Sequence, residues 1–226
     1  MIRAVVFDLD GTIVSHNIEY KALRADVRGF LIKQGVPASV LSLNESVFQM
    51  LDKTEIFLKN SGRQRKVFEE MRNEVLKIID EYEWKAARTA GLCPGVEAVL
   101  KTLKDMGIKV GLCTVSGERT VSFLLKKFKI DAFFDAVVPR EHAGRVKPHG
   151  EHLKTVLEML KAAPEETLIV GDSTADMLCA REVKAIAVGL PTGMFTKDEL
   201  ISAGANYIIT SIADVPTLIE RLNKTL

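Results

Sequence analysis

The sequence predicts an α/β fold in which a doubly wound parallel sheet carries an inserted all-helical domain. Short apolar runs rich in β-branched residues lie near both ends of the chain, as in the strands of a parallel sheet that is covered on both faces. Between them, apolar residues recur at helical spacing. We therefore predict a sheet domain formed by residues 1–14 and 91–226 and a helical domain formed by residues 15–90.

The predicted strands share one construction, because each apolar run is followed by polar residues. The first is Arg3–Phe7, which we expect in the centre of the sheet, and the others are Val110–Cys113, Ala136–Val138 and Leu168–Val170. In an open α/β sheet the ligand crevice lies just beyond the carboxyl ends of the strands. The polar residues that follow these strands are thus predicted to share one site.

The helical domain is predicted to contain three helices. Gly35-Val36-Pro37 and Asn60-Ser61-Gly62 combine helix-ending and turn-forming residues, so they divide the segment into three stretches. From Leu92 onward the alternation of strands and helices resumes.

Composition limits the possible partners. The 226 residues are 47% hydrophobic, which is enough for a full core. The formal net charge of +1 creates no global field for nucleic acid or a membrane surface. No apolar stretch approaches the roughly 18 residues of a membrane span, and no signal-peptide pattern is present. We expect a cytoplasmic protein with reduced cysteines, as a monomer or a homodimer.

The first strand leads into Asp8-Leu9-Asp10-Gly11-Thr12, which places two carboxylates two residues apart. By itself this segment is equally typical of a polar turn after a strand. Later strand ends add a hydroxyl, an ammonium group and two further acids. These belong to Thr114, Lys147, Asp172 and Asp176.

Taken in order, Asp8-x-Asp10-Gly11-Thr12, Thr114, Lys147 and Gly171-Asp172-x-x-x-Asp176 resemble the four motifs of the haloacid dehalogenase superfamily. The helical insertion after the first motif is similar to the subgroup that includes phosphoglycolate phosphatase and β-phosphoglucomutase. This resemblance implies a Rossmann-like core with a helical cap domain. It also implies a magnesium-dependent phosphomonoester hydrolase acting on a small phosphorylated metabolite.

The resemblance also assigns roles to the two acids of the first motif. Asp8 would be the nucleophile that forms an aspartyl phosphate, which divides one difficult displacement into two easier ones. Asp10 would be the general acid and base, which requires a second carboxyl group close to the nucleophile. An acid at position 10 favours phosphate ester chemistry over the dehalogenating and phosphonate-cleaving branches.

An anionic nucleophile that attacks a phosphate dianion needs cations beside it. At about 4 Å and an effective dielectric near 20, each pair of like unit charges costs on the order of 4 kcal/mol. Mg²⁺ held by Asp8, Asp172 and the backbone carbonyl of Asp10 would supply most of the neutralisation, and Lys147 the rest. A helix that begins near Thr174, with Ser173 or Thr174 as its cap, would place Asp176 to bind a metal-bound water or to orient Lys147.

Other residues are candidates for substrate contact. Thr114 offers a hydroxyl to a phosphate oxygen, and backbone amides near Leu9 and Val115 would complete an electrostatic cradle, with Ser116 beside them. In the helical domain the candidates are His16, Arg24, Arg28, Arg63 and Arg65. Near Lys147, the histidines His142, His149 and His152 fit a solvated loop and helix start, with His149 a candidate for the rim of the site.

Two other functions remain compatible with the sequence. A phosphosugar mutase would use the same core but return the phosphoryl group to a sugar instead of to water. A binding or regulatory module would keep the fold and a metal site without turnover. The mutase would yield an isomer and little free phosphate, whereas the binding module would release no phosphate at all.

Overall fold

The computed structural model describes residues 1–15 and 17–225, so His16 lies outside the described residues. The chain divides into two compact units. One comprises Met1–His16 and Ala90–Leu226 and is called the sheet unit below. The other is Asn17–Thr89, the helical unit.

The sheet unit contains two sheets. The strands are β1 (Ala4–Phe7), β2 (Val14–Ser15), β3 (Gly91–Leu92), β4 (Lys109–Cys113), β5 (Ala136–Val138), β6 (Thr167–Gly171), β7 (Ile186–Gly189) and β8 (Tyr207–Ile208). Six of them form a parallel sheet in the order β5-β4-β1-β6-β7-β8, and β2 pairs with β3 in antiparallel fashion. The predicted α/β fold with the first strand inside the sheet is therefore confirmed.

The helical unit folds around its own core. Its helices are α1 (Tyr20–Lys33), α2 (Val47–Asn60) and α3 (Arg65–Thr89), which confirms the predicted division into three stretches. Each helix presents an apolar stripe to that core, because buried residues such as Val27, Met50 and Val75 recur at helical spacing. Ser46 begins α2 with a capping box, since its side chain accepts from the backbone N–H of Gln49.

Within the described part of the chain, six further α-helices belong to the sheet unit, and all but the last precede a strand of the parallel sheet. They are α4 (Val96–Asp105), α5 (Glu118–Lys127), α6 (Gly150–Leu160), α7 (Thr174–Val183), α8 (Lys197–Ala203) and α9 (Val215–Thr225). All four residues of β1 are fully buried, as expected for a central strand with helices on both faces. Among the described residues, no helix is both long enough and apolar enough to cross a membrane.

The register of the three central strands brings their carboxyl ends to the same level. Phe7 pairs with Leu112 of β4 on one side and with Val170 of β6 on the other. The backbone N–H of Asp8 then donates to Val170 O at 2.9 Å. Side chains that follow β1, β4 and β6 therefore emerge at one edge of the sheet, where ligand sites of this architecture lie.

Candidate active site

A buried ion-pair network occupies this edge of the sheet. The Lys147 ammonium group lies 2.7 Å from Asp8 Oδ1 and 2.6 Å from Asp176 Oδ1, and it donates to Cys113 O at 2.9 Å. These three acceptors come from the ends of β1 and β4 and from α7. They match the three donor positions of an ammonium group, so the side chain of Lys147 has a single well-defined position.

The loop that carries Lys147 runs between β5 and α6, and its Lys147–Pro148 peptide bond is cis. The sequence predicted that the three nearby histidines lie in a solvated loop. His142 is exposed and His149 half-buried, but the prediction is wrong for His152, which is fully buried. Its ring packs inward because α6 turns this position toward the sheet, and both ring nitrogens find backbone partners there.

Helix α7 places the two acids that follow β6. As predicted, it begins at Thr174, and Ser173 is its N-cap. Ser173 and Asp176 form a capping box, because the Asp176 N–H donates to Ser173 Oγ at 3.3 Å and the Ser173 N–H donates to Asp176 Oδ2 at 3.2 Å. In addition, the Ser173 hydroxyl donates to Asp176 Oδ2 at 2.6 Å. The other oxygen of Asp176 accepts a hydrogen bond from Lys147, a contact that fits one of its two expected roles, orienting the lysine or binding a metal-bound water.

The acids at this edge form a set that suits a divalent cation. Asp8, Asp172 and Asp176 each place a carboxylate oxygen within 4.8 Å of the others, and all three side chains are buried. Within residues 1–15 and 17–225, no donor hydrogen-bonds the Asp172 carboxylate and no cation pairs with it. Three buried carboxylates beside one ammonium group leave an excess of negative charge, and hard oxygen donors are the ligands that Mg²⁺ prefers. The residues present therefore fit a magnesium site.

The pKa values of these groups reflect the charge balance of the cluster. Burial raises the pKa of Asp8 to about 7, with the carboxylates of Asp176 and Asp10 adding to the effect and Lys147 opposing it. Burial, followed by repulsion from Asp8 and Asp176, raises the pKa of Asp172 to about 8. Burial disfavours the charged form of Lys147, yet the carboxylates of Asp176 and Asp8 outweigh it and raise the Lys147 pKa well above its ordinary value.

Two glycines leave room for the Asp172 carboxylate. A Cβ atom on Gly11 or on Gly193 would collide with Asp172 Oδ2. Gly11 also has a φ of +80°, which L side chains rarely adopt. Thr192 ties the two loops together, because its hydroxyl donates to Gly11 O at 2.7 Å. Sequence analysis missed the loop after β7, although Pro191-Thr192-Gly193 directly after an apolar strand was a signal of the same kind as the others.

Asp10 lies against the loop that follows β4. The Ser116 hydroxyl donates to Asp10 Oδ2 at 2.5 Å, and the Ser116 backbone N–H donates to Thr114 Oγ1 at 3.1 Å. Ser116 is a predicted substrate contact, but here its hydroxyl is directed at Asp10. Thr114 is fully buried, and because its oxygen accepts from Ser116, its own proton remains to be donated.

A buried arginine that sequence analysis did not single out supports this loop. Arg140 is 2% exposed, and its guanidinium donates to Val115 O at 3.0 Å, while its backbone N–H donates to Ser116 O at 3.3 Å. Next to it, Glu141 accepts from the backbone N–H of Glu118 at the start of α5 at 2.9 Å. The segment after β5 thus holds the segment after β4.

The remaining substrate candidates have distinct environments. Leu9 is fully buried, so only its backbone is available for contact, and Val115 is half-buried. In the helical unit, Arg24 donates to Leu43 O at 3.4 Å and Arg28 donates to Leu41 O at 3.2 Å. Both arginines hold the segment between α1 and α2, and their contact with a substrate stays a prediction.

The central strand of the parallel sheet ends in an acid that pairs with a lysine, and further carboxylates follow the adjacent strand. A cluster of this kind in the crevice of a parallel α/β sheet is characteristic of an enzyme active site. The family model of haloacid dehalogenase-like hydrolases matches residues 5–189 of this chain. The chain belongs to that family and is a hydrolase.

Relatives and solved structures extend the match over the full length. Pyrophosphatase PpaX of Bacillus mycoides is 28% identical over 228 residues, covering 98% of this chain and 99% of the relative. The structure of a hydrolase from Pseudomonas syringae superposes with a TM-score of 0.71 at 24% identity, covering 97% of this chain and 99% of that one. β-Phosphoglucomutase from Clostridium difficile has a TM-score of 0.63 at 20% identity, covering 100% and 99%. At these identities the two structures show the shared fold.

Proposed function

We propose that the protein is a magnesium-dependent phosphatase that hydrolyses a small phosphorylated metabolite through an aspartyl phosphate on Asp8. The observation that carries this proposal is the contact between Lys147 and Asp8 inside the buried carboxylate cluster. An acid that is both buried and paired with an immobile cation is poised to attack an anionic group. Such perturbed clusters in a crevice are characteristic of functional sites.

In the first step, a carboxylate oxygen of Asp8 attacks the phosphorus atom, and the bond from phosphorus to the leaving oxygen breaks. Lys147 neutralises charge on Asp8 and on the transferring phosphoryl group, and the Thr114 hydroxyl donates a hydrogen bond to a phosphate oxygen. Mg²⁺, held by Asp8, Asp172 and the backbone carbonyl of Asp10, would supply further neutralisation of charge when bound. Asp176 contributes by holding Lys147, to which it lies 2.6 Å away.

Asp10 moves the protons in both steps. As the leaving alkoxide departs, the protonated Asp10 carboxyl group donates its proton to that oxygen. In the second step, the ionised Asp10 takes a proton from the attacking water, whose oxygen bonds to phosphorus while the bond between Asp8 and phosphorus breaks. Ser116 donates to one oxygen of Asp10 at 2.5 Å and so restricts the direction of the carboxyl group.

The helical unit is proposed to be the cap domain, which excludes water during the first step and admits it for the second. Arg24 and Arg28 remain the proposed substrate contacts there, together with the backbone amides of Leu9 and Val115 in the sheet unit. Arginine suits an acidic leaving group because its planar guanidinium matches a carboxylate.

Inorganic pyrophosphate is the second candidate substrate, because curated relatives that match nearly the whole chain are named pyrophosphatases. The same chemistry would apply, with phosphate as the leaving group. A phosphosugar mutase remains the alternative function, and product analysis distinguishes it, because a mutase yields an isomer and little free phosphate.

The first experiment is a phosphate-release assay on pyrophosphate and a panel of small phosphorylated metabolites at neutral pH. Each hit is repeated with Mg²⁺, with a chelator and with Asp8→Asn. We expect release that requires both Mg²⁺ and Asp8, while the exposed control Asp131→Asn stays as active as the parent. Equal turnover by Asp8→Asn would exclude the covalent mechanism, and silence across the panel would favour a mutase or a non-catalytic module.

A further inference from the structure

The buried imidazole of His152 joins the loop of Lys147 to the parallel sheet. The backbone N–H of Lys147 donates to His152 Nδ1 at 3.3 Å, and His152 Nε2 lies 3.1 Å from Val138 O at the end of β5. The same carbonyl accepts from the Thr114 backbone N–H at 3.2 Å. One imidazole therefore connects the backbone of Lys147 with the carbonyl group that also holds Thr114.

The partners of His152 determine its protonation. A backbone N–H can only donate, so Nδ1 must carry a lone pair, and a backbone carbonyl can only accept, so Nε2 must carry the hydrogen. His152 is thus a neutral imidazole in one tautomer. In agreement, burial and the nearby charge of Lys147 lower the pKa of His152 to about 4.

The other hydrogen bonds of this loop anchor the start of α6 and not the backbone of Lys147. Gly150 N donates to Glu182 Oε2 at 2.8 Å, and the Cys179 thiol donates to His149 O at 3.3 Å, so the start of α6 is anchored to α7. Among the hydrogen bonds of the described residues, only those of the His152 ring link the backbone of Lys147 to β5. An apolar side chain at position 152 would leave the buried Lys147 N–H without an acceptor, which is costly.

We propose that His152 is a positioning residue for Lys147, acting through the hydrogen bond that its Nδ1 accepts. This rests on the proposed function, in which Lys147 neutralises charge on Asp8 and on the transferring phosphoryl group. The ammonium group must meet three acceptors at once, so a small displacement of its backbone weakens contacts with Asp8 and Asp176 together. In a preorganised site, a misplacement of about 1 Å lowers the rate about 100-fold.

The test compares three substitutions at position 152. His152→Asn keeps an acceptor near the Nδ1 position, His152→Gln keeps a donor near the Nε2 position, and His152→Leu keeps neither. With Mg²⁺ and p-nitrophenyl phosphate, we expect His152→Gln and His152→Leu to lower kcat about 10-fold to about 100-fold, with KM little changed. We expect His152→Asn to retain most of the parent kcat.

Hydrogen exchange of the Lys147 backbone amide gives a readout that needs no turnover. It should be slow in the parent and in His152→Asn and much faster in His152→Gln and His152→Leu. Equal kcat for the Asn and Gln variants, or unchanged exchange in His152→Leu, would overturn the proposal. Lys147→Met tests the proposed function separately, because full activity in that variant would remove the catalytic role of Lys147 without bearing on amide exchange.

Discussion

Ser116 and Asp10 are joined by a hydrogen bond of 2.5 Å, although 106 positions separate them in the chain. The bond links the loop after β1 to the loop after β4, two strands that lie side by side in the sheet. It fixes the orientation of the Asp10 carboxyl group relative to the loop after β4. Arg140 stabilises this loop, because it donates hydrogen bonds to the backbone carbonyls of Val115 and Ser116.

Removal of the Ser116 hydroxyl should impair acid–base catalysis. A hydrogen bond to a charged group contributes about 1.5 to 3 kcal/mol, so Ser116→Ala should lower kcat about 10-fold to about 100-fold. Ser116→Thr keeps a hydroxyl group and should retain most activity, and the exposed Ser122→Ala on α5 is the matched control. Steady-state kinetics on any substrate that the panel identifies tests this prediction. An unchanged kcat in Ser116→Ala would show that the hydrogen bond to Asp10 does not contribute to catalysis.

Asp10→Asn should separate the two candidate substrate classes. Loss of a general acid lowers the rate by about 10² to 10⁴ when the leaving group is a basic alkoxide. Phosphate is a much weaker base, so pyrophosphate hydrolysis should suffer less in its first step. Because both substrates share the second step, the comparison uses kcat/KM, which reports the first step, and acid quenching followed by mass spectrometry should reveal phosphorylated protein. Full activity on an alkyl phosphate would refute the assignment of Asp10.

Gly193→Ala should weaken metal binding with little effect on folding. The new methyl group would collide with Asp172 Oδ2, so the carboxylate must turn away from the cluster. Gly29→Ala in α1 is the control, because a Cβ there meets nothing within 4 Å and should stabilise the helix by about 1 kcal/mol. Isothermal titration with Mg²⁺ should show a weaker Kd for Gly193→Ala alone, and equal affinity in both variants would contradict this prediction.

The metal-free protein should become less stable as the pH rises above neutrality. Asp8 and Asp172 have a pKa of about 7 and about 8 in the folded chain, against an ordinary value of 3.8. The folded state therefore binds more protons, and this stabilisation, complete below the ordinary value, is lost as the pH passes through about 7 and about 8. His152, whose pKa is lowered to about 4 from 6.5, acts in the opposite direction but only below 6.5.

Urea denaturation between about pH 6.5 and about pH 8.5 measures the contribution of the Asp8 and Asp172 carboxylates to the free energy of unfolding. With a chelator present, we expect the free energy of unfolding to fall by on the order of 2 to 3 kcal/mol over this range. Mg²⁺ should reverse the loss, because it binds the ionised carboxylates, and Asp172→Asn should flatten the curve. A free energy that is constant or rises with pH in the parent would show that the carboxylates are ionised throughout.

The sequence alone predicted four strands of the parallel sheet, the three helices of the helical unit and most of the segments that carry the chemistry, but not β7, β8 or the loop after β7. Period-2 and period-3.6 patterns are local, so the strand ends before Asp8, Thr114 and Asp172 could be placed without any knowledge of tertiary contacts. Parallel strands then bring their carboxyl ends to one edge, which is why acids far apart in the chain were predicted to meet there. Local reasoning also placed the start of α7 near Thr174, but it left open whether Ser173 or Thr174 is the cap and whether Asp176 contacts Lys147 or a metal-bound water.

Only the tertiary structure decided how those side chains are held. His152 reads as one more polar residue at the start of a helix, and its burial depends on how α6 packs against β5. Arg140 and the loop of Thr192 and Gly193 contact segments more than 20 residues away, as the hydrogen bond from Arg140 to Val115 shows with a separation of 25. Hydrogen bonds between distant segments leave no periodic trace in the sequence, because each partner must satisfy only the geometry of the folded chain.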